Sequence, residues 1–318
     1  MCRKVNWLVA GSCLTLLMCY PNLTCEAMLS EPLFPLRKSH FAAYNLDFRM
    51  PRRFLKYGAT SHDSLLGRNL RHMYAHRHAI LIYRSNAIYT LIPKNACSTL
   101  RLSIAVENGA IRGIEDAEWI HLNNGTFFPS LGELMRADYA FVFLRCPFAR
   151  LASCFLDKFV GGSPETEKYA AARGKRVAME ELTFRTFCVS LAEENMLTAN
   201  IHWAPQVNFL VFADYDDYFC FERFDDAIAP LRERAGLEII DARPATRHGI
   251  DVLKRRPAIE TFCDVPLNEL KALRAEGETP DPVSLYDVPL IDFVRRTYAE
   301  DLALFNERFP GVSLFKVS

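Results

Sequence analysis

One stretch constrains the fold more than any other: YAFVFLR, residues 139–145, closed by Cys146-Pro147. Six hydrophobic residues in succession leave no face for water, so a strand built from them must be covered on both sides. Pro147 suits the first turn of a helix, and FARLASCFLDKFV then reads as one. A doubly covered strand leading straight into a helix is the unit of an α/β fold with a parallel sheet. The pattern occurs twice. AIYTLI (87–92) stops at Pro93 and gives way to a predicted helix over Ser98–Asn108, with Leu100, Ile104 and Ala105 at helical spacing and Asn108-Gly109 as its stop. AILIYR (79–84) precedes it across a turn at Ser85-Asn86 and reads as a further strand. The order implies right-handed βαβ units. Half of the 318 residues are hydrophobic, enough for a sizeable core.

The rest is less regular. Residues 161–200 read as mostly helical, VNFLVF (207–212) and YFCFERF (218–224) as later strands, and 240–283 as irregular. LIDFVRRTYAEDLALFNERF (290–309) reads as one amphipathic helix, with Ile291, Val294, Tyr298, Leu302 and Phe305 on a common face. At the other end, Arg3 and Lys4 precede VNWLVAGSCLTLLMCY, so residues 1–27 read as a signal peptide with Cys25-Glu26-Ala27 as a loose cleavage site. The apolar run is short against the ~20 residues of a bilayer span, which makes a signal-anchor the second reading. A start at Met28 would remove the leader altogether. Residues 28–78, polar and basic with Pro32, Pro35 and Pro51, read as an N-terminal arm, and 79–318 as the functional domain.

Lysine plus arginine equals aspartate plus glutamate, 38 each, so no global field draws nucleic acid and any anion site is local. Four of the ten cysteines fall in the leader. Cys97, Cys146, Cys154, Cys188, Cys220 and Cys263 remain; they permit a disulfide framework without requiring one. No CxxC pair offers a zinc site.

Chemistry concentrates at the two strand-to-helix junctions, where α/β folds bind ligands. The first is Pro93-Lys94-Asn95-Ala96-Cys97-Ser98-Thr99. Amides at a helix N-terminus favour an anion, Ser98 and Thr99 add hydroxyls, and Lys94 adds a mobile point charge. The second is Arg145-Cys146-Pro147, with Ser153 two helical turns further on. The first loop contains no glycine, so it is not a Walker motif. A phosphotransferase also needs a carboxylate for Mg²⁺ at a strand end, and here that strand ends in arginine. Taken singly, each loop could be no more than a capped helix and a paired arginine; two in consecutive units argue for anion binding.

IPKNACSTL resembles the 5′-phosphosulfate loop of sulfotransferases that use 3′-phosphoadenosine-5′-phosphosulfate (PAPS). FVFLRCPFARLASCFLDKF is similar to their 3′-phosphate loop, an R-x-P-x-x-R-x-x-S pattern. The resemblance is to Golgi carbohydrate sulfotransferases of the chondroitin, dermatan and HNK-1 type and to related bacterial chains, over roughly 80–308. NIHWAPQ (200–206) and YFCFERFDD (218–226) are weaker echoes. The resemblance implies a P-loop-NTPase-like three-layer sandwich with a central, mainly parallel sheet flanked by helices. It implies PAPS as co-substrate, a carbohydrate acceptor and no metal, since a sulfuryl group carries less charge than a phosphoryl group. Lys94 would bridge the leaving phosphate and the sulfuryl group. Pro93, Asn95, Ala96, Cys97, Ser98 and Thr99 would complete the 5′-phosphate loop, and Arg145 and Ser153 would hold the 3′-phosphate. Cys97 departs from the glycine or alanine common in such loops.

The acceptor hydroxyl must lose a proton, which suits a histidine. His121 lies between the two loops, in a stretch where related uronyl 2-O-sulfotransferases carry a catalytic histidine. His202 sits in the better-matched HWAPQ segment. Both are candidates, with Glu115 and Asp116 behind them; packing or hydrogen bonding alone is the plain alternative for either ring. His72, His76 and His78 have a spacing that can bind metal, but Arg71 and Arg77 stand among them and no carboxylate does, so a solvated basic face is the better reading. Asn22 and Asn124 are sequons that matter only in a secretory lumen. Two competing functions remain: a nucleotide kinase or NTPase, which predicts Mg²⁺ and ATP dependence, and a non-catalytic glycan- or nucleotide-binding protein. A translated leader implies the Golgi or secretory lumen, with any membrane association through the N-terminus; without it the chain is expected in the cytoplasm.

Overall fold

The computed structural model describes residues 53–58, 65–123, 125–174, 178–246, 253–257 and 261–315. The leader, the sequon at Asn22, Asn124 itself and most of the arm lie outside the described residues. Among the described residues no helix is long and apolar enough to cross a membrane.

Four strands form the central sheet in the order β1 (Ala79–Ile82), β2 (Ala87–Thr90), β3 (Tyr139–Leu144) and β4 (Asp217–Cys220). β1 and β2 are an antiparallel hairpin turned at Asn86, while β2–β3 and β3–β4 are parallel. The sheet is therefore mainly parallel, as expected. β3 is buried along its whole length, and its alternation separates two cores. Tyr139, Phe141 and Phe143 pack with Leu100, Ile104 and Leu231 on one face. Ala140, Val142 and Leu144 pack with Phe155, Phe187 and Phe305 on the other. Helices cover both faces of the sheet, and this gives the three layers.

The helices are α1 (Leu70–His76), α2 (Cys97–Glu107), α3 (Trp119–Leu122), α4 (Leu131–Arg136), α5 (Pro147–Cys154), α6 (Glu165–Ala172), α7 (Phe184–Ser190), α8 (Ile228–Ala235), α9 (Arg243–Thr246), α10 (Leu267–Ala275), α11 (Val288–Thr297) and α12 (Ala299–Arg308). α2 follows β2 and stops where Gly109 turns left-handed, φ +75°. α5 follows β3 with Pro147 in its first turn.

Several expectations change. VNFLVF is not a strand: Gln206–Phe209 forms a 3-10 turn, and only Phe212 makes an isolated bridge, to Leu55. The buried carboxylate of Asp301 accepts the backbone N–H groups of Gln206 and Val207 and so withdraws them from any ladder. The strand at 218–224 ends at Cys220 and continues as a 3-10 segment, Phe221–Ala227. The last helix is two, broken at Tyr298, whose hydroxyl donates to the Trp203 carbonyl at 2.6 Å; its expected inner face does pack on the core. Within 240–283, α10 and a two-stranded parallel ribbon, β5 (Lys254–Arg256) with β6 (Glu278–Pro280), replace the irregular reading. The arm contributes α1, capped by the Asn69 side chain, and a segment bonded to Val211 and Ala213.

Candidate active site

The two loops lie side by side because β2 and β3 are parallel neighbours. Without glycine, the first loop still takes left-handed backbone at Lys94 (φ +72°) and Ala96 (φ +57°). Each such residue costs roughly 1–2 kcal/mol, so the surroundings must hold the loop in place. They do so from beneath. Asn95 is fully buried, and its Nδ2 donates to Phe143 O at 2.8 Å and Gln206 Oε1 at 2.7 Å. Arg150, 3% exposed, donates to the carbonyls of Pro93, Ala204 and Ile201. Asn95 therefore pins the loop from beneath, and it is not among the residues that line the cleft into which the two loops open.

Ala96 supplies no side-chain cap to α2, so the amides of the first turn point at whatever fills the loop. The second loop is tied to the first. Gln206 Oε1 accepts from Arg145 N at 3.0 Å, and its Nε2 donates to Arg145 O at 2.9 Å. The Arg145 guanidinium donates to Lys94 O at 2.8 Å and stacks on Phe221, 4.3 Å from the ring centre. Glu222 accepts from Cys146 N. HWAPQ and YFCFERF are thus brackets for the two loops.

Both loops open into one cleft of about 690 Å³. Pro93, Lys94, Ala96, Cys97, Ser98, Thr99, Arg145 and Ser153 line it, and so do both candidate histidines. Glu115 and Asp116 are not among its lining residues. The sequence reading missed further members. Arg101, Lys158, Arg232, Arg243 and Arg255 join Lys94 and Arg145, against the carboxylates of Asp157, Asp225, Glu238 and Asp241. Arg232 and Arg243 are paired with Glu238 and Asp241. Arg101 buries Nη2 with no hydrogen-bond partner among the described residues, and burial lowers its pKa. An uncapped helix start, an orphaned guanidinium nitrogen and surplus positive charge fit an anion with more than one phosphate. Phe221, Phe224, Ile228 and Ile239 give one wall an apolar surface suited to a flat ring.

Lys94 Nζ sits 2.9 Å from Asp157 Oδ2, and Lys158 Nζ is 3.1 Å from the same oxygen. Burial pushes the Asp157 carboxyl up; Lys94 and Lys158 outweigh it and bring the pKa to about 2. The sequence did carry a signal here: two adjacent charges, Asp157-Lys158, inside the apolar run Phe155–Val160.

His202 is well placed. Its Nδ1 lies 2.8 Å from Asn200 Oδ1, which also accepts the His202 backbone N–H. That oxygen can only accept, so Nδ1 carries the proton and Nε2 is left as an acceptor. Burial, and then the Lys158 charge, hold the ring neutral by pulling its pKa well down, though Glu165 opposes them. His121, on α3, is exposed and also lines the cleft.

All six described cysteines are free thiols; burial raises the pKa of Cys146. His72 and His76 stack with ring centres 5.6 Å apart, and His76 Nε2 lies 2.6 Å from Pro129 O. Among the described residues no group of three or more His, Cys, Asp or Glu side chains is arranged to hold a metal.

The model of the family described as "Sulfotransferase family" matches residues 77–306, most of the chain. The chain belongs to the sulfotransferase family. The family match spans both loops, the Arg150 and Gln206 brackets and nearly all of α12. Carbohydrate sulfotransferase 14 of Danio rerio is 25% identical over 215 residues, 62% of this chain and 59% of that protein. Those of Mus musculus and Homo sapiens are each 26% identical over 143 residues, covering 41% of this chain and 38% of theirs. The chain thus spans less than two thirds of the curated relatives it matches. No solved structure matches it.

Proposed function

We propose that this sulfotransferase moves a sulfuryl group from PAPS to a hydroxyl of a carbohydrate. One observation carries the reading: Lys94 and the uncapped start of α2 share a cleft with Arg145 and Ser153, and Gln206 locks the two loops together. A cleft that offers cationic or hydroxyl groups at two separate loops selects a nucleotide with phosphates at two positions of the ribose. PAPS supplies the sulfuryl group already activated, because it is joined to the 5′-phosphate through a phosphosulfate anhydride bond.

In this reading the α2 amides, Ser98 and Thr99 grip the 5′-phosphate, and Arg145 and Ser153 grip the 3′-phosphate. Lys94 sets its ammonium against the oxygen that gains charge as the S–O bond breaks, which is electrostatic stabilisation of the transition state. His202 Nε2 accepts the proton of the attacking hydroxyl; Asn200 fixes the tautomer that makes this feasible. A phosphate-bearing ligand beside Lys158 and Lys94 also offsets the charges that depress His202, strengthening it as a base. His121, which lines the same cleft, is assigned to the acceptor. The zebrafish, mouse and human relatives are named as carbohydrate sulfotransferases, which supports a sugar hydroxyl as acceptor.

The test is transfer of ³⁵S-sulfate from labelled PAPS to a panel of glycans. Lys94→Ala and Arg145→Ala are expected to lower transfer by ~10²-fold or more. His202→Ala should lower kcat far more than it weakens binding of adenosine 3′,5′-bisphosphate, and His121→Ala should raise KM for the acceptor more than it lowers kcat. No transfer to any glycan, together with no binding of adenosine 3′,5′-bisphosphate, would refute the proposal. Binding without transfer would instead mark a non-catalytic protein.

A further inference from the structure

Asp157 has no part in the roles above, yet it sits where they meet. It lies on a π-helical turn, Phe155–Val160, inserted after α5. Such turns widen the helix and often occur at functional sites. The widened turn brings the adjacent Asp157 and Lys158 side chains together at the cleft wall. Gly161 makes it feasible: a Cβ there would lie 2.1 Å from the Asp157 carbonyl oxygen, although the backbone at Gly161 is not left-handed. Gly161 N–H bonds back to Leu156 O at 3.1 Å, five residues earlier.

The carboxylate then serves two ammonium groups through one oxygen, with Lys94 at 2.9 Å and Lys158 at 3.1 Å. All three side chains are only 15–16% exposed. A lysine so far from water needs a partner, and Lys94 has Asp157. The donor site described above requires the same ammonium to face a phosphate oxygen. One carboxylate shared by two lysines is under-neutralising, and it keeps Lys158 if Lys94 departs. The exchange therefore strands no buried carboxylate and trades one oxygen anion for another.

We propose that Asp157 is a positioning residue for Lys94: its resting counter-ion, which the donor displaces on binding. The inference rests on the PAPS reading of the cleft. It makes Asp157 a competitor of the donor for Lys94, held in reserve by Lys158. In the empty cleft the lysine is parked and its charge compensated; with donor present it turns to the 5′-phosphate.

A double-mutant cycle tests this by calorimetric titration with adenosine 3′,5′-bisphosphate. Asp157→Asn is expected to tighten binding roughly five- to tenfold, in the range of ordinary coupling between sites. Asp157→Glu, which keeps the carboxylate, should bind like the wild type. In a Lys94→Ala background, Asp157→Asn should change affinity less than about twofold, since no lysine remains to compete for. A substitution that merely damages structure does not tighten a ligand. Equal or weaker binding by folded Asp157→Asn, or the same tightening with Lys94 absent, would overturn the role of Asp157. Asp157→Ser takes the same test should Asn be unable to fold at the π-turn. Failure of the wild type to bind adenosine 3′,5′-bisphosphate would instead sink the donor reading, and the inference with it.

Discussion

Replacing Asn95 with alanine separates holding the Pro93–Thr99 loop from touching the donor proposed for it. The side chain is fully buried and donates to Phe143 O and Gln206 Oε1. Its removal leaves the Phe143 carbonyl without that partner, at a cost of about 1–3 kcal/mol for a buried acceptor. Gln206 Oε1 keeps its bond from Arg145 N and loses less. Asn95 Oδ1 itself has no partner among the described residues, so deleting it recovers part of that cost. The net destabilisation is about 1–2 kcal/mol, or roughly 1.5–3 °C in Tm for a chain of this size. The loop also holds two left-handed residues that relax once the pin is gone, so affinity for adenosine 3′,5′-bisphosphate should fall together with Tm. Thermal melts and calorimetric titration of Asn95→Ala measure both. Ser98→Ala, at a cleft-lining hydroxyl, should lower affinity while leaving Tm within about 1 °C. An Asn95→Ala protein that melts like the wild type but binds more weakly would show that Asn95 meets the ligand, and the reasoning would fail.

Ala96→Gly relieves a left-handed alanine and should leave Tm unchanged or up to about 3 °C higher, whereas Ala96→Val, β-branched at φ +57°, should lower it. Gly161→Ala must open the π-turn and is expected to cost about 1–3 kcal/mol in denaturant melts; stability equal to wild type would show that the turn adapts freely. Asp157 also makes stability depend on acid. Its folded pKa, about 2, lies below the unfolded value, so its contribution is complete above about pH 4 and is lost as pH falls from there toward 2. Asp157→Asn should flatten the unfolding free energy across that window, and an unchanged slope would count against the ion pair.

The strand-to-helix junctions that line the candidate cleft are legible in the sequence. Apolar runs halted by proline and followed by helical spacing locate strand-to-helix junctions, because a doubly buried strand has no other composition available to it. Lys94, Ser98, Thr99, Arg145 and Ser153 could be read as cleft residues because short-range chemistry places them: hydroxyls and amides at a helix start, a guanidinium at a strand end. Asn95 shows where that kind of reading stops. Local pattern shows a polar side chain in a loop, but not whether it points out to the cleft or down to Phe143 and Gln206.

By itself, the sequence determined the α/β class and the two strand-to-helix junctions, since these follow from contacts between near neighbours in the chain. Tertiary structure decided what those junctions are worth together. Gln206, 61 residues beyond Arg145, clamps both loops; Arg150 bonds Pro93 and Ala204; Asp301 caps the turn that carries Gln206. A glycine-free loop with two left-handed residues holds its shape only because these distant, buried partners fix it. The same distance in sequence hid the meeting of Lys94 with Asp157, 63 residues apart, which no local pattern encodes.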